Sequence, residues 1–308
     1  MKNFINISDH SSLDLRAIID EAKARKLKRQ NLNKSAPDED KPFEGKSMAM
    51  IFEKPSTRTR MSFDIAVKQL GGTSIILNPD GIHYGKGDET LKDTAKVLTE
   101  YVDIVMLRTS SHKNLEEFGK HLDIPIINGL SDIGHPCQIM SDILTYEESN
   151  GTIEGKKVAW LGDGNNNMSN SLIEAAGKFK FNLSIACPKK YSPNKKVLSW
   201  AKKNKVNLIV TTKPDEAVKN SDCVMTDKWV SMNDKVNKKA KKKILKPFQV
   251  NKKLMSKANS DAIFMHCLPV GRGEEVTDEV IDGKQSVVWR QALNRVHVQK
   301  SIIKWCLD

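Results

Sequence analysis

Short apolar runs alternate with helix-length amphipathic stretches along almost the whole chain, and that alternation restricts it to an α/β fold with mostly parallel sheets. In the first half the runs are Met48 to Glu53, Thr73 to Leu77, Asp103 to Leu107 and Pro125 to Asn128. Helical stretches cover residues 12–28, Thr90 to Tyr101, Lys113 to Leu122 and Ile139 to Ser149, and a polar, charged loop runs from Asn33 to Lys41. Asn150-Gly151 breaks the pattern, which restarts after Gly155 with runs at Val158 to Leu161, Leu183 to Cys187, Leu208 to Val210, Cys223 to Thr226 and Ala262 to Met265. Leu172 to Phe179 begins a helix, Val287 to Trp289 reads as a last short strand, and the chain from Arg290 as a terminal helix. At 308 residues the chain fits two domains, each of roughly 150 residues. The expectation is an α/β protein of two doubly wound parallel-sheet domains with the active site in the cleft between them.

The chemically useful polar residues follow the expected strands. They are Ser56-Thr57-Arg58-Thr59-Arg60, Arg108, His135 with Gln138, Asn165 to Asn167, Asp227, and His266-Cys267. Ligands of open α/β sheets bind outside the carboxyl ends of the strands, which is where this spacing places those groups. Pro55 stops the first strand. Met61, Ile65 and Leu70 then recur at helical spacing before Gly71-Gly72, so the Ser-Thr-Arg cluster opens a helix. Exposed N–H groups and the positive end of the helix dipole favour a phosphate there, and arginine adds a planar fork for its oxygens. A helix cap with solvated arginines fits the same residues.

Other motifs are weaker. Gly162-Asp163-Gly164 follows a strand, but Asn167 stands where a dinucleotide fingerprint has its third glycine. The asparagines suit an amino-acid zwitterion or simple loop capping. Cys267 beside a cleft could be a nucleophile, yet His266 precedes it on a strand and so points to the opposite face. His135 could be a general base or a neutral donor to a carbonyl. Five widely spaced cysteines without a CxxC pair point to reduced thiols in a cytoplasm and to no structural zinc site. Met1 to Ser12 lack an apolar signal-peptide core, and no run approaches the ~18 apolar residues of a membrane span. The net charge of +12 sits largely in lysine-rich helices without interleaved aromatics. It reads as a solvated surface suited to an anionic substrate, with no nucleic-acid or membrane partner.

Taken together, Phe52-Glu53-Lys54-Pro55-Ser56-Thr57-Arg58-Thr59-Arg60, His135-Pro136-Cys137-Gln138, Asp227-Lys228-Trp229-Val230-Ser231-Met232, His266-Cys267-Leu268-Pro269 and Asn294-Arg295-Val296-His297 resemble the aspartate/ornithine carbamoyltransferase family. Within it, the chain is most similar to the ornithine carbamoyltransferases, from about residue 4 to its end. The resemblance implies transfer of a carbamoyl group from carbamoyl phosphate to L-ornithine in arginine biosynthesis, without a cofactor or metal. Ser56, Thr57, Arg58 and Thr59 would hold phosphate, with His83 reaching into a neighbouring subunit's site. Arg108, His135 and Gln138 would bind the phosphate and carbamoyl groups. Asn166, Asp227, Ser231 and Met232 would hold ornithine. Cys267, Leu268 and Arg295 would line the carbamoyl site. Residues 1–136 would form the carbamoyl phosphate-binding domain, with helix 290–308 packed back on it. Residues 137–150 would be a linking helix and 151–289 the ornithine-binding domain. A homotrimer, or a multiple of trimers, with shared sites is also implied.

Two positions depart from the family pattern: His83 stands where Gln is usual, and Asn233 where the substrate loop has Gly. An aspartate carbamoyltransferase is the nearest competitor, but Asp227 would repel a second carboxylate. Putrescine and acylated-ornithine carbamoyltransferases, and a basic RNA-binding protein, are the remaining alternatives.

Overall fold

The structure, a computed structural model, describes residues 2–78, 89–230 and 237–308; His83, Ser231, Met232 and Asn233 lie outside that set. The chain divides into two compact units, Met1–Leu144 with Leu293–Asp308, and Thr145–Ala292. In the first, β1 (Ser47–Phe52), β2 (Thr73–Leu77), β3 (Ile104–Arg108) and β4 (Ile126–Leu130) form a sheet of order β2-β1-β3-β4. Around it lie α1 (Ser12–Lys28), α2 (Thr57–Gln69), α3 (Leu91–Tyr101), α4 (His112–Gly119) and the start of α5 (Pro136–Asn150). In the second, β5 (Lys157–Leu161), β6 (Asn182–Ala186), β7 (Leu208–Thr211), β8 (Cys223–Thr226) and β9 (Ile263–His266) run in the order β7-β6-β5-β8-β9. Its helices are α6 (Asn167–Phe179), α7 (Lys195–Lys203), α8 (Pro214–Val218), α9 (Lys238–Leu245), α10 (Lys252–Met255) and α11 (Asp278–Ile281), and α12 (Val288–Leu307) closes the chain. All strand pairs are parallel.

The near-continuous apolar run of β1 belongs to a central strand covered on both faces, and Met48 to Phe52 are all buried. Each of Met48, Met50, Ile51 and Phe52 contributes about 1.5–3 kcal/mol by leaving water. The core of the first unit is built from alternate strand residues, Ala49, Ile51, Val105, Leu107 and Ile126, against Ala95 and Leu98 of α3 and Leu115 and Phe118 of α4. Ala159, Leu161, Val224 and Phe264 do the same for the second. At the end of α2, Gly71 adopts φ +89°, and a Cβ there would sit 2.9 Å from the Cβ of Lys41. Only glycine meets both demands.

Four expectations need correction. Val288 and Trp289 open α12 and are not strand; only Ser286 bridges Phe264, and Val287 donates its N–H to the Phe264 carbonyl. Pro136 to Gln138 form the first turn of α5, because Pro at that position lacks the N–H a helix start leaves unpaired. Helix α6 begins at Asn167, well before Leu172, since Asn166 caps it. Of the apolar positions marked on α2, Leu70 is buried but Met61 is 55% exposed, and Phe63, Ala66 and Val67 complete the inward face.

The Asn33 to Lys41 loop is not simply solvated. Asp38 is buried and accepts from Arg25 (3.0 Å), Arg29 (2.6 Å) and Lys300 (3.0 Å). These three cations, with burial opposing them, hold its carboxyl below the usual range. Neutralising it leaves three enclosed cations without their shared counter-charge. Asp38→Asn is therefore expected to cost about 3–5 kcal/mol in urea unfolding. A loss below ~1 kcal/mol, the ordinary worth of a surface pair, would show the carboxylate to be dispensable.

Candidate active site

Parallel pairing sets the carboxyl ends of the strands side by side. In the first unit, Phe52 lies opposite Arg108, and Arg108 opposite Leu130. The chain winds from β1 outward to β2 and then returns to β3 on the other side, so the strand order reverses between β1 and β3. Such a switch point leaves a crevice lined by the two following loops. Those loops carry Ser56 to Thr59 and begin at Arg108.

Ser56 is the N-cap of α2, its Oγ accepting from the Thr59 N–H at 3.3 Å, and Thr57, Arg58 and Thr59 form the first turn. Capping and anion binding are thus compatible, because the cap uses one hydroxyl lone pair and leaves its proton to donate. Thr59 is buried, and its Oγ1 accepts from Arg108 Nη1 (3.1 Å) and Arg295 Nη2 (2.8 Å). Arg295 Nη1 also donates to Gln138 Oε1 at 2.7 Å, while Gln138 Nε2 donates to Asp142 Oδ1 at 2.8 Å. Asp142 lies one helical turn beyond Gln138 on α5, a spacing legible in the sequence but not picked out there. His135 is buried next to this set. Burial first, then the charges of Arg295, Arg108 and Arg58, hold its imidazole well below the ordinary 6.5. A neutral imidazole of lowered basicity keeps an N–H to donate, which favours the donor role for His135 over that of general base. Neighbouring Cys137 donates to the Asn128 carbonyl (3.4 Å), and burial pushes its thiol up to about 12, leaving it inert.

The second unit repeats the arrangement. Its order reverses between β5 and β8, and Leu161, Thr226 and His266 are in register across β5, β8 and β9. Asp227 and Cys267 therefore leave adjacent strands side by side, and Cys267 Sγ donates to Asp227 Oδ1 at 3.1 Å. Asp227 Oδ1 also accepts the Lys228 N–H at 2.7 Å. His266 makes its hydrogen bonds to groups other than the thiol. Its Nδ1 accepts from the Leu268 N–H (2.9 Å), so the proton is on Nε2, which faces Glu275 at 3.2 Å. Leu268 is thereby held at φ +59°, ahead of a cis peptide to Pro269. Asn166 Oδ1 accepts from Ser169 N–H at 2.8 Å in a capping box, which leaves the amide nitrogen as the group to offer a carboxylate. One further group escaped the sequence. Lys241 of α9 pairs in a buried contact with Asp163 (2.7 Å), whose other oxygen accepts from Asn165 N–H at 2.8 Å, tying down the loop before Asn166. Nothing in the sequence links residues so far apart.

Among the described residues, Asp227, His266 and Cys267 bring three metal-type donor atoms within 4.8 Å of one another. Both nitrogens of His266 are engaged elsewhere, by Glu275 and by the Leu268 N–H. The set that the sequence singled out thus divides: Ser56, Thr57, Arg58, Thr59, Arg108, His135, Gln138 and Arg295 belong to the first unit, and Asn166, Asp227, Cys267 and Leu268 to the second.

Because the His135 pKa lies below its unfolded value, its contribution to stability is full above pH 6.5 and is lost as pH falls through the folded value. The ring carbon resonances of His135 should accordingly stay at their neutral positions from pH 8 to about 5.5. A midpoint near 6.5 would show that the arginines do not act on it.

Residues 2–148 match the family model described as the carbamoyl-P binding domain of aspartate/ornithine carbamoyltransferases, and residues 154–306 match its Asp/Orn binding domain. The chain is 49% identical over 308 residues to the ornithine carbamoyltransferase of Brucella ovis, covering 100% of this chain and 96% of that one. It is 50% identical over 306 residues to that of Nitrobacter winogradskyi, covering 99% and 97%. The solved ornithine carbamoyltransferase of Pyrococcus furiosus superimposes with a TM-score of 0.91 at 42% identity, over 98% of this chain and 96% of that one. The anabolic ornithine carbamoyltransferase of Campylobacter jejuni does so at 0.90 and 37%, over 99% of each. Two sheets that each reverse at the loops carrying these residues, and a match along the full length, make this chain a member of the aspartate/ornithine carbamoyltransferase family.

Proposed function

We propose that the chain transfers the carbamoyl group of carbamoyl phosphate to the δ-amine of L-ornithine, giving L-citrulline and phosphate. The arginine set around His135 carries this reading. Thr59 and Gln138 are neutral acceptors that orient Arg108 and Arg295 without cancelling their charge. Burial first, and then the charges of Arg295, Arg108 and Arg58, disfavour a proton on the histidine, and a phosphate dianion suits the same positive field.

In this reading Ser56, Thr57, Arg58 and Thr59, with His83 from a neighbouring subunit, grip the phosphate. Arg108, His135, Gln138 and Arg295 act on the phosphate and carbamoyl oxygens. The carbonyl groups of Cys267 and Leu268 receive the carbamoyl and δ-amino N–H groups. Asn166, Asp227, Ser231 and Met232 hold ornithine, with Asp227 on the α-amino group. Residues 1–136 with helix 290–308 form the carbamoyl phosphate domain, 151–289 the ornithine domain, and 137–150 the link. The δ-amine, with an ordinary pKa of roughly 10.4, loses its proton before attack, and surrounding positive charge favours that loss. Its lone pair forms the C–N bond, and charge gathers on the carbamoyl oxygen opposite His135 and Arg295. The C–O bond to phosphate then breaks, phosphate leaves with the electron pair, and it takes the proton shed by nitrogen.

Arginine biosynthesis in the cytoplasm, by a homotrimer or a multiple of trimers, is the setting we infer. Its supports are five cysteines outside any disulfide, and an edge strand, β2, whose Ile75 is 42% exposed while Met61 and Tyr101 on the neighbouring helices are also exposed. No helix among the described residues is long and apolar enough to cross a membrane.

Purified protein should form a ureido product from carbamoyl phosphate with ornithine, and not with aspartate, putrescine or N-acetylornithine. Product with aspartate alone would overturn the role of Asp227. Arg58→Ala should lower kcat/KM by about 10²–10³-fold, with an unchanged melting temperature because the side chain is only half-buried. Near-normal turnover would remove Arg58 from the site.

A further inference from the structure

Every residue of α12 from Asn294 to Ile303 is buried, and Asn294, Arg295, His297, Gln299, Lys300 and Ser301 are enclosed beside Val296, Val298, Ile302 and Ile303. Apolar contact is non-directional and does not by itself set the rotation or axial position of a helix to the precision a hydrogen-bonding guanidinium requires. Directional contacts do. Lys26 of α1 donates to Asn294 Oδ1 at 2.7 Å, immediately before Arg295. Lys300 donates to Asp38 at 3.0 and 3.2 Å, immediately after the next turn. By helix geometry Lys300 lies about 140° around the axis and about 7.5 Å along it from Arg295, with Asn294 about 100° the other way. The two grips point about 120° apart around the helix, and together they oppose its rotation and sliding.

We propose that Lys26 and Lys300 are positioning residues for Arg295: α1 and Asp38 clamp α12 on either side of that arginine and set its guanidinium against Thr59 and Gln138. The inference rests on the assignment of Arg295 to the carbamoyl phosphate site. Asp38 is a fixed anchor, since Arg25 and Arg29 hold the same carboxylate and Arg25 is in turn held by Asp40 (2.6 Å) and Glu21 (2.8 Å). The charged and titratable groups facing Lys300 are Asp38, Arg25 and Arg29, with His297 on its own helix. Burial outweighs Asp38 and brings the Lys300 ammonium down to about 8. A neutral amine still donates to Asp38, so the clamp depends on a donor at this position more than on its charge.

The test compares Lys300→Met, Lys300→Gln and Lys26→Met with the wild type. It reads the melting temperature, the steady-state constants, and the Nε–H resonance and guanidinium rotation of Arg295, identified by their loss in Arg295→Lys. Both Met variants are expected to shift the Arg295 signal, free its rotation, and lower kcat/KM for carbamoyl phosphate about tenfold or more, with the KM for ornithine unchanged. Lys300→Gln, which restores a donor, should return both readouts towards wild type. A lower melting temperature with an unchanged Arg295 signal would overturn the proposal, and so would equal effects of Met and Gln. Should Lys300→Met not fold, the half-buried Lys26→Met carries the same test. A wild type without transferase activity would remove the proposed reaction, and the Arg295 resonance would then decide the clamp by itself.

Discussion

Parallel strand pairing is the constraint from which both sets of functional groups follow. Because neighbouring strands run the same way, whatever comes after them emerges at one edge of the sheet. Register then decides which groups become neighbours: Phe52 opposite Arg108, and Thr226 opposite His266. Asp227 and Cys267 touch because each is the first residue past a strand of that register. The reversal of winding, between β1 and β3 and again between β5 and β8, opens a crevice at those points.

The first unit uses its crevice to gather positive charge. Arg108 and Arg295 share the Thr59 hydroxyl, and Arg295 also meets the Gln138 amide. Burial, and then the charges of Arg295, Arg108 and Arg58, hold the His135 imidazole well below its ordinary range and favour its neutral form. Asp142 contributes from one turn away by orienting Gln138.

The second unit gathers the opposite character. Asp227 supplies a carboxylate suited to an amine, and the turn after β9 is held through the Leu268 N–H by His266, itself held by Glu275. Lys241 and Asp163 fix the loop that leads to Asn166 from an element far away in sequence. In both units the groups that hold the proposed ligand residues are themselves buried and hydrogen-bonded, which is what precise placement requires.

The sequence by itself determined the strands, the parallel α/β class and the residues that follow each strand, because apolar period and turn chemistry are local properties. It also marked Ser56 as the start of a helix and Gly71 as its end. It did not mark the full inward face of α2, since Met61 carries the right spacing yet stays exposed while Phe63, Ala66 and Val67 are buried. Nor did Val287 to Trp289 declare themselves: a short β-branched run is strand-like locally, and the choice of helix is made by burial along the rest of α12. Only tertiary structure decided that Asp38, in a polar loop, would bury its charge between α1 and α12, and that Lys241 would reach Asp163. Contacts of that kind join residues far apart in the chain. A charged side chain looks the same in a sequence whether it ends in water or against a buried partner, and the partner appears only when the fold brings it there.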